Sequence, residues 1–264
     1  MNGSAAPVRL DREGTTASLV LNRPGRHNSL VPELLEALLE AIDTVAADES
    51  LTAVVLAAEG RSFSTGGDVA AFAAQSDEEI GLYAERLVGL LNEAILGLFR
   101  LPVPLVGRLH GPVTGGSLGL VLACDLVVAS PDAFMAPYYV EVGFSPDGGW
   151  SAILPERIGE RRAREIQLLN RHVAASEMRE LGLVDDIVEA ERLEARIGEW
   201  LDTLAGKDRG SIRLTKRRLL EVDRLARYRM GLEEERRLFV ERIRQPEARA
   251  AMGAFLERLG GSGG

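Results

Sequence analysis

The sequence predicts an α/β core that passes into a helical extension. Three observations carry that prediction. Short apolar runs alternate with amphipathic stretches through most of the chain, the pattern of strands joined by helices. Beyond Trp150 helical periodicity takes over, and a strand pattern appears once more, at residues 183–188. The 264 residues, 46% apolar and 27% charged, suffice to bury a substantial core without disulfides or metal.

The elements follow in order. Residues 8–11 and 16–22, joined at Glu13-Gly14, read as a β-hairpin. Arg23-Pro24-Gly25 ends the second strand. From residue 32 to 46, Leu34, Leu35, Leu38, Leu39 and Ile42 share one face of a helix. The unbroken apolar run 52–58 suits a strand buried on both sides. Ser76 and Glu79 have capping-box spacing, and the helix they open carries Leu82, Leu87, Leu90, Leu91, Ile95 and Leu98. Residues 103–109 form the next strand, followed by a glycine-rich turn at 111–119 and a short apolar helix to about Ala123. Strands are predicted at 126–129 and 133–139, before a loop at 143–149. The tail 260–264 reads as disordered.

Composition excludes several classes. The lone Cys124 rules out an intrachain disulfide framework and a cysteine-based zinc site. His27, His110 and His172 lie far apart in sequence, which argues against a histidine-rich metal site. Residues 1–14 lack the apolar core of a signal peptide, and no apolar run reaches membrane-spanning length, so a soluble, cytoplasmic protein without membrane partners is expected. A net charge of −9 argues against general affinity for nucleic acid. Residues 207–244 nevertheless hold thirteen basic and seven acidic side chains. That excess reads either as solvated helix faces or as a basic rim for a small phosphorylated ligand.

The turn Gly111-Pro112-Val113-Thr114-Gly115-Gly116-Ser117-Leu118-Gly119, between a strand and a helix, admits several readings. A phosphate-binding P-loop needs a lysine before its hydroxyl residue, and none is present. Gly115-Gly116-Ser117-Leu118-Gly119 matches G-x-S-x-G, with Asp147 and His172 in the chain order of a serine hydrolase. The glycines can also serve close helix–strand packing alone. A further reading pairs this turn with Ser64-Thr65-Gly66-Gly67-Asp68, which also follows a buried strand. Two such turns can each donate one backbone N–H to a single oxyanion.

With that pairing the residues resemble the enoyl-CoA hydratase/isomerase (crotonase) superfamily. Arg23-Pro24-Gly25-Arg26-His27-Asn28-Ser29-Leu30 is similar to the family's R-P-x-x-x-N-x-L segment, and Gly60 through Asp68 to its G-x-x-F-x-x-G-x-D loop. Residues 104–125, with His110-Gly111-Pro112 and Ala123-Cys124-Asp125, resemble the central strand–turn–helix. Residues 143–149 resemble the G-L-x-P-D-x-G loop, and Ala254-Phe255-Leu256-Glu257-Arg258 the C-terminal helix. The run His110-Gly111-Pro112, Tyr139 and Ser145-Pro146-Asp147-Gly148-Gly149 is most similar to the branch of ring-epoxyphenylacetyl-CoA isomerases. The resemblance implies a ββα spiral core over 1–200, a helical trimerisation region over 201–259, and a homotrimer or dimer of trimers. Unpaired C-terminal helices would otherwise expose Leu238, Val240 and Ile243.

The resemblance also implies roles. Gly67 and Gly116 would hold the thioester oxygen of an acyl-CoA, with no cofactor beyond the CoA of the substrate. Arg26, Ser64, Gly66, Asp68, Val69 and Gly115 would surround substrate and CoA. Phe255 and Arg258 would line the mouth, often from a neighbouring subunit. Hydratases of the family use two glutamates, and their positions match Gly119 and Tyr139 here. Water addition by that route is therefore not expected. Asp147 keeps a carboxylate where isomerases and aryl-CoA dehalogenases of the family carry a catalytic aspartate; it is either a proton shuttle or a turn residue. Glu141, two residues past Tyr139 on the same predicted strand, is a second candidate base. The expected activity is isomerisation of an acyl-CoA thioester by enolate chemistry. The alternatives are a non-catalytic acyl-CoA binder and a serine hydrolase using Ser117.

Overall fold

The computed structural model describes residues 6–261. β1 (Val8–Glu13) and β2 (Thr16–Leu21) form the hairpin, with Glu13 opposite Thr16. α1 (Pro32–Ala47) starts on a proline, whose missing N–H costs nothing at a helix start, and buries Leu34, Leu35, Leu38 and Ile42. It returns the chain to β3 (Ala53–Ala58), which runs parallel to β2 and is buried along its whole length. α2 (Val69–Ala73) is capped by the Asp68 carboxylate on the Ala71 amide. α3 (Ile80–Arg100) then leads to β4 (Leu105–Leu109). Just before α3 the Glu79 amide donates to Ser76 Oγ at 3.2 Å, the capping contact that their spacing predicts.

β5 (Pro112–Thr114), α4 (Leu118–Leu122), β6 (Leu126–Ala129), β7 (Phe134–Ala136) and α5 (Tyr139–Val142) follow. Next come α6 (Leu154–Ile158), α7 (Glu160–Leu168), β8 (Val173–Ala174), α8 (Ala175–Glu180) and β9 (Asp186–Ile187). The described chain ends with α9 (Leu193–Ala205), α10 (Arg209–Leu219), α11 (Val222–Ile243) and α12 (Pro246–Gly261).

Strands β1-β2-β3-β4-β6-β9 form one sheet, parallel after the opening hairpin, and β5-β7-β8 form a second. The alternation of side chains along a strand divides the first sheet between two apolar layers. Leu19, Leu21, Val54, Leu56 and Leu105 face the main core with α1 and α3. Val20, Val55, Ala57, Val106 and Val128 face the other way and meet Leu193 and Ile197 of α9. Burial on both faces is why these strands read as unbroken apolar runs.

The structure changes several expectations. The strand predicted over 133–139 stops at Ala136, because Tyr138 turns left-handed (φ 60°) and the chain enters α5. Glu141 therefore lies on a helix, where Arg258 reaches its carboxylate at 3.4 Å, and shares no strand face with Tyr139. Only Asp186–Ile187 of the predicted 183–188 strand pairs, while β5 and β8 come from segments read as turn and helix. The 201–259 region divides: α10 buries no residue, whereas Tyr228, Leu232, Phe239 and Ile243 of α11 enter the main core. Ile243, expected on an exposed face, is 1% exposed. Helix α12 runs through Gly261, so the predicted disordered tail begins inside a helix, and residues 262–264 lie outside the described residues.

Candidate active site

Two turns and one loop enclose a cavity of about 630 Å³. The loop after β3 is bridged through Gly67 to Leu30, just before α1, and through Ser64 to Val113 in β5, the strand that leads into the Gly115-Gly116 turn. These contacts fix two peptide planes. The Gly66 carbonyl accepts from the Leu30 amide at 2.7 Å. In a trans peptide the N–H points opposite to the carbonyl, so the Gly67 N–H faces away from Leu30. The Gly115 carbonyl accepts from the Trp150 indole Nε1 at 2.7 Å, which turns the Gly116 N–H away from that ring. Gly67 and Gly116 both line the cavity, and neither amide donates in any hydrogen bond among the described residues.

Asp147 stands directly beside this pair. A Cβ on Gly116 would come within 2.8 Å of Asp147 Oδ1, so glycine alone admits the carboxylate there. The side chain is 7% exposed, lines the cavity, and accepts from the Tyr139 hydroxyl at 2.5 Å. Burial pushes its carboxyl up to about 7; the Tyr139 hydrogen bond opposes the rise and the nearby Glu235 charge adds to it. Burial and the Asp147 charge hold the Tyr139 phenol well above its usual value, so the hydroxyl stays a donor.

The two positions that the resemblance matches to glutamates are differently filled. At Gly119 a Cβ would lie 2.3 Å from Ile95 Cδ1 and 2.4 Å from the Gly148 carbonyl, which leaves no room for any side chain. At Tyr139 the ring projects into the wall and its hydroxyl is committed to Asp147.

The serine-hydrolase alternative fails on contacts. Ser117 is fully buried and donates to the Thr114 and Ser64 carbonyls at 2.7 and 3.2 Å. His172 instead bonds the Tyr138 hydroxyl at 2.8 Å and stacks on Phe134. A serine whose hydroxyl is spent on backbone carbonyls has no base beside it to activate it.

The predicted binding residues fall into two groups. Arg26, Asp68, Val69, Gly115 and Phe255 line the cavity. Arg26 pairs with Asp68 at 3.2 Å. Burial would raise the Asp68 carboxyl, but the Ala71 amide, Arg26 and Ser29 outweigh it and hold it below its usual range. Ser64 and Gly66 stand behind the wall, the Ser64 hydroxyl being spent on the Asn28 carbonyl. Arg258 lies over the Phe255 ring and pairs with Glu141 on α5. Phe255 lines the cavity of its own chain.

Sequence reasoning missed the deep end and its supports. Phe72, Leu87, Leu91, Phe144 and Phe239 wall that end, and the Phe72, Phe144 and Phe239 rings pack edge-on or tilted at 5.1–5.7 Å. Their spacing signalled only helical core. Glu235 of α11, 2% exposed, accepts hydrogen bonds from the Gly149, Ser151 and Ala152 amides and the Ser151 hydroxyl. Its spacing from Tyr228, Leu232, Phe239 and Ile243 puts it, unlike Glu233 and Glu234, on the buried stripe of α11, a periodicity signal that could have found it.

Comparison with known proteins places the chain in a family and a fold. The family model for enoyl-CoA hydratase/isomerase matches residues 11–261. "4-Chlorobenzoyl coenzyme A dehalogenase-2" of Arthrobacter sp. is 33% identical over 214 residues, covering 81% of this chain and 78% of its own. The Mycobacterium bovis protein named "Probable enoyl-CoA hydratase echA12" is 39% identical over 207 residues, 77% of this chain and 73% of its own. The crystal structure of enoyl-CoA hydratase from Bacillus halodurans superimposes with a TM-score of 0.87 at 26% identity. That alignment covers 94% of this chain and 99% of the other.

Proposed function

The chain belongs to the enoyl-CoA hydratase/isomerase family, and we propose that within it the protein is an acyl-CoA thioester isomerase that works through an enolate. One observation carries the reading. A buried carboxylate, Asp147, lies against Gly116 in the cavity, while neither family glutamate position holds an acid. The thioester oxygen takes the Gly67 and Gly116 N–H groups, and Asp147 removes a proton from a carbon conjugated with the carbonyl. Negative charge moves onto the oxygen, where each preorganised donor contributes about 3 kcal/mol to the transition state. Asp147 then returns the proton to another carbon, and the double bond has shifted. A carboxyl raised to about 7 suits both halves, since acid and base forms coexist near neutrality.

The aromatic wall at the deep end favours a compact or ring-bearing acyl group over a long chain. CoA enters past Arg26, Val69 and Phe255, and no cofactor beyond that CoA takes part. The proposal extends to a homotrimer or dimer of trimers in the cytoplasm. Among the described residues no helix is long and apolar enough to cross a membrane.

The test is deuterium uptake from heavy water into a panel of acyl-CoA and enoyl-CoA thioesters, read by mass spectrometry. Exchange beside the thioester, lost in Asp147→Asn with CoA binding intact, is the expected result. Binding without exchange across the panel would overturn the isomerase in favour of a non-catalytic acyl-CoA binder.

A further inference from the structure

We propose that Glu235, acting through the 149–152 turn and the Trp150 indole, is a positioning residue that aims the Gly116 amide and seats Asp147. The inference rests on the two-amide reading of the site. Its first support is the isolation of Glu235. Helix α11 is otherwise an arginine-rich solvent helix on its outer side, with Arg236 and Arg237 paired to surface glutamates. Glu235 alone among its neighbouring acids turns inward, to 2% exposure, and forms no ion pair among the described residues. A buried carboxylate without a countercharge is costly unless hydrogen bonds replace water. Here four do. Oε2 accepts from the Gly149 amide at 2.7 Å, and Oε1 from the Ser151 amide, the Ser151 hydroxyl and the Ala152 amide at 2.6–2.9 Å.

The second support is what those bonds hold. Residues 149–152 begin two positions after Asp147, and Trp150 lies among them, 0% exposed. Its indole N–H donates to the Gly115 carbonyl at 2.7 Å, on the peptide whose other end is the Gly116 N–H. One carboxylate thereby restrains two chemical groups: the carboxylate beside the substrate, through the backbone, and the oxyanion donor, through the Trp150 ring. Core packing alone requires neither the charge nor the indole N–H. A leucine at 235 and a phenylalanine at 150 would fill the same kind of space.

The experiment uses benzoyl-CoA labelled with carbon-13 at the carbonyl, which has no proton on the adjoining carbon and so cannot be enolised. Infrared difference spectra of the bound thioester read how strongly the hole pulls on the carbonyl. Wild-type protein is expected to shift the band to lower frequency. Trp150→Phe, which deletes the N–H and keeps a ring, should lose at least half of that shift while benzoyl-CoA affinity stays within about threefold. Glu235→Gln, which forfeits the Gly149 bond, should lose an intermediate share. In the deuterium-exchange assay both variants should lower kcat about tenfold or more with KM little changed. Full retention of the carbonyl shift and of kcat in both, even with a lowered melting temperature, would overturn the proposal and leave Glu235 a structural anchor. An unshifted carbonyl in the wild type would remove the hole itself, and this inference with it. A shifted wild-type carbonyl that the variants weaken, in a protein that exchanges no deuterium, would uphold the positioning role while refuting isomerisation.

Discussion

At the scale of single residues the chemistry reduces to a carboxylate kept out of water and a hydroxyl that follows it. Asp147 is charged at alkaline pH at a cost, because folding strips its solvent and the Tyr139 hydroxyl and its own backbone amide replace only part of it. Burial raises the folded carboxyl to about 7 from the ordinary 3.8 of an unfolded chain, so the folded state binds the extra proton between them. Stability is therefore greatest below about pH 4 for this group and is lost as pH rises through 7. Asp147→Asn should thus abolish exchange yet stabilise the protein by roughly 1–3 kcal/mol at pH 8. Denaturant titrations at pH 8 and pH 5 check this: the gain must shrink at the lower pH. Tyr139→Phe acts in the opposite sense. Its hydroxyl lowers the Asp147 carboxyl, so removing it should move the rising limb of the exchange profile to higher pH and cut the rate at pH 7. An unmoved limb would mean that Asp147 is not the base whose titration the profile reports. Both residues were legible from their place in a motif. Their bond was not, because Tyr139 was assigned to a strand that Tyr138 ends by turning left-handed.

At the scale of elements, close backbone approach decides what the site can become. The turn carrying Gly116 and the loop carrying Gly148 are pressed together, with Ile95 of α3 closing the space beside Gly119. Restoring the missing hydratase acid by Gly119→Glu should fail. Its Cβ would meet the Gly148 carbonyl at 2.4 Å, and backbone cannot yield as a side-chain tip can. The expected outcome is a loss of about 1–3 kcal/mol in denaturant unfolding and no water addition to crotonyl-CoA. Hydration by this variant would show that the loop moves aside and that glycine there is incidental. The same contacts explain which elements could be read in advance. β3 and α3 declare themselves through long apolar patterns. β5 and β8, three and two residues long, are strands only because β7 lies between them. Their pairing is tertiary, and no window of sequence contains it.

At the scale of the whole molecule, α11 joins the site to the surface. It sends Phe239 and Glu235 inward to the cavity wall and the Asp147 loop, 86 residues from the glycine that Glu235 holds. That separation is why the role of Glu235 escaped sequence reasoning while the glycine turns did not. On α10 and α11 the chain leaves large apolar groups in solvent: Leu219, ending α10, is 68% exposed, Val222, opening α11, 85%, and Met230, further along α11, 66%. Leu219 and Val222, side chains of this size at one helix junction, suit burial against another copy. The predicted contact is therefore the α10–α11 junction; of the three side chains the sequence placed on an exposed face, Leu238 is 39% exposed and remains available to a contact, whereas Ile243 is buried. Phe255, however, reaches the cavity of its own chain. Assembly and binding should then separate. For the trimer proposed above, Leu219→Glu with Val222→Glu is expected to leave single chains in sedimentation, while the affinity for benzoyl-CoA changes by less than about threefold. Loss of binding on dissociation would mean that a neighbouring subunit completes the CoA mouth. A variant that still sediments as a trimer would place the interface on another face, such as the end of α7, where Leu168 and Leu169 are 67% and 68% exposed.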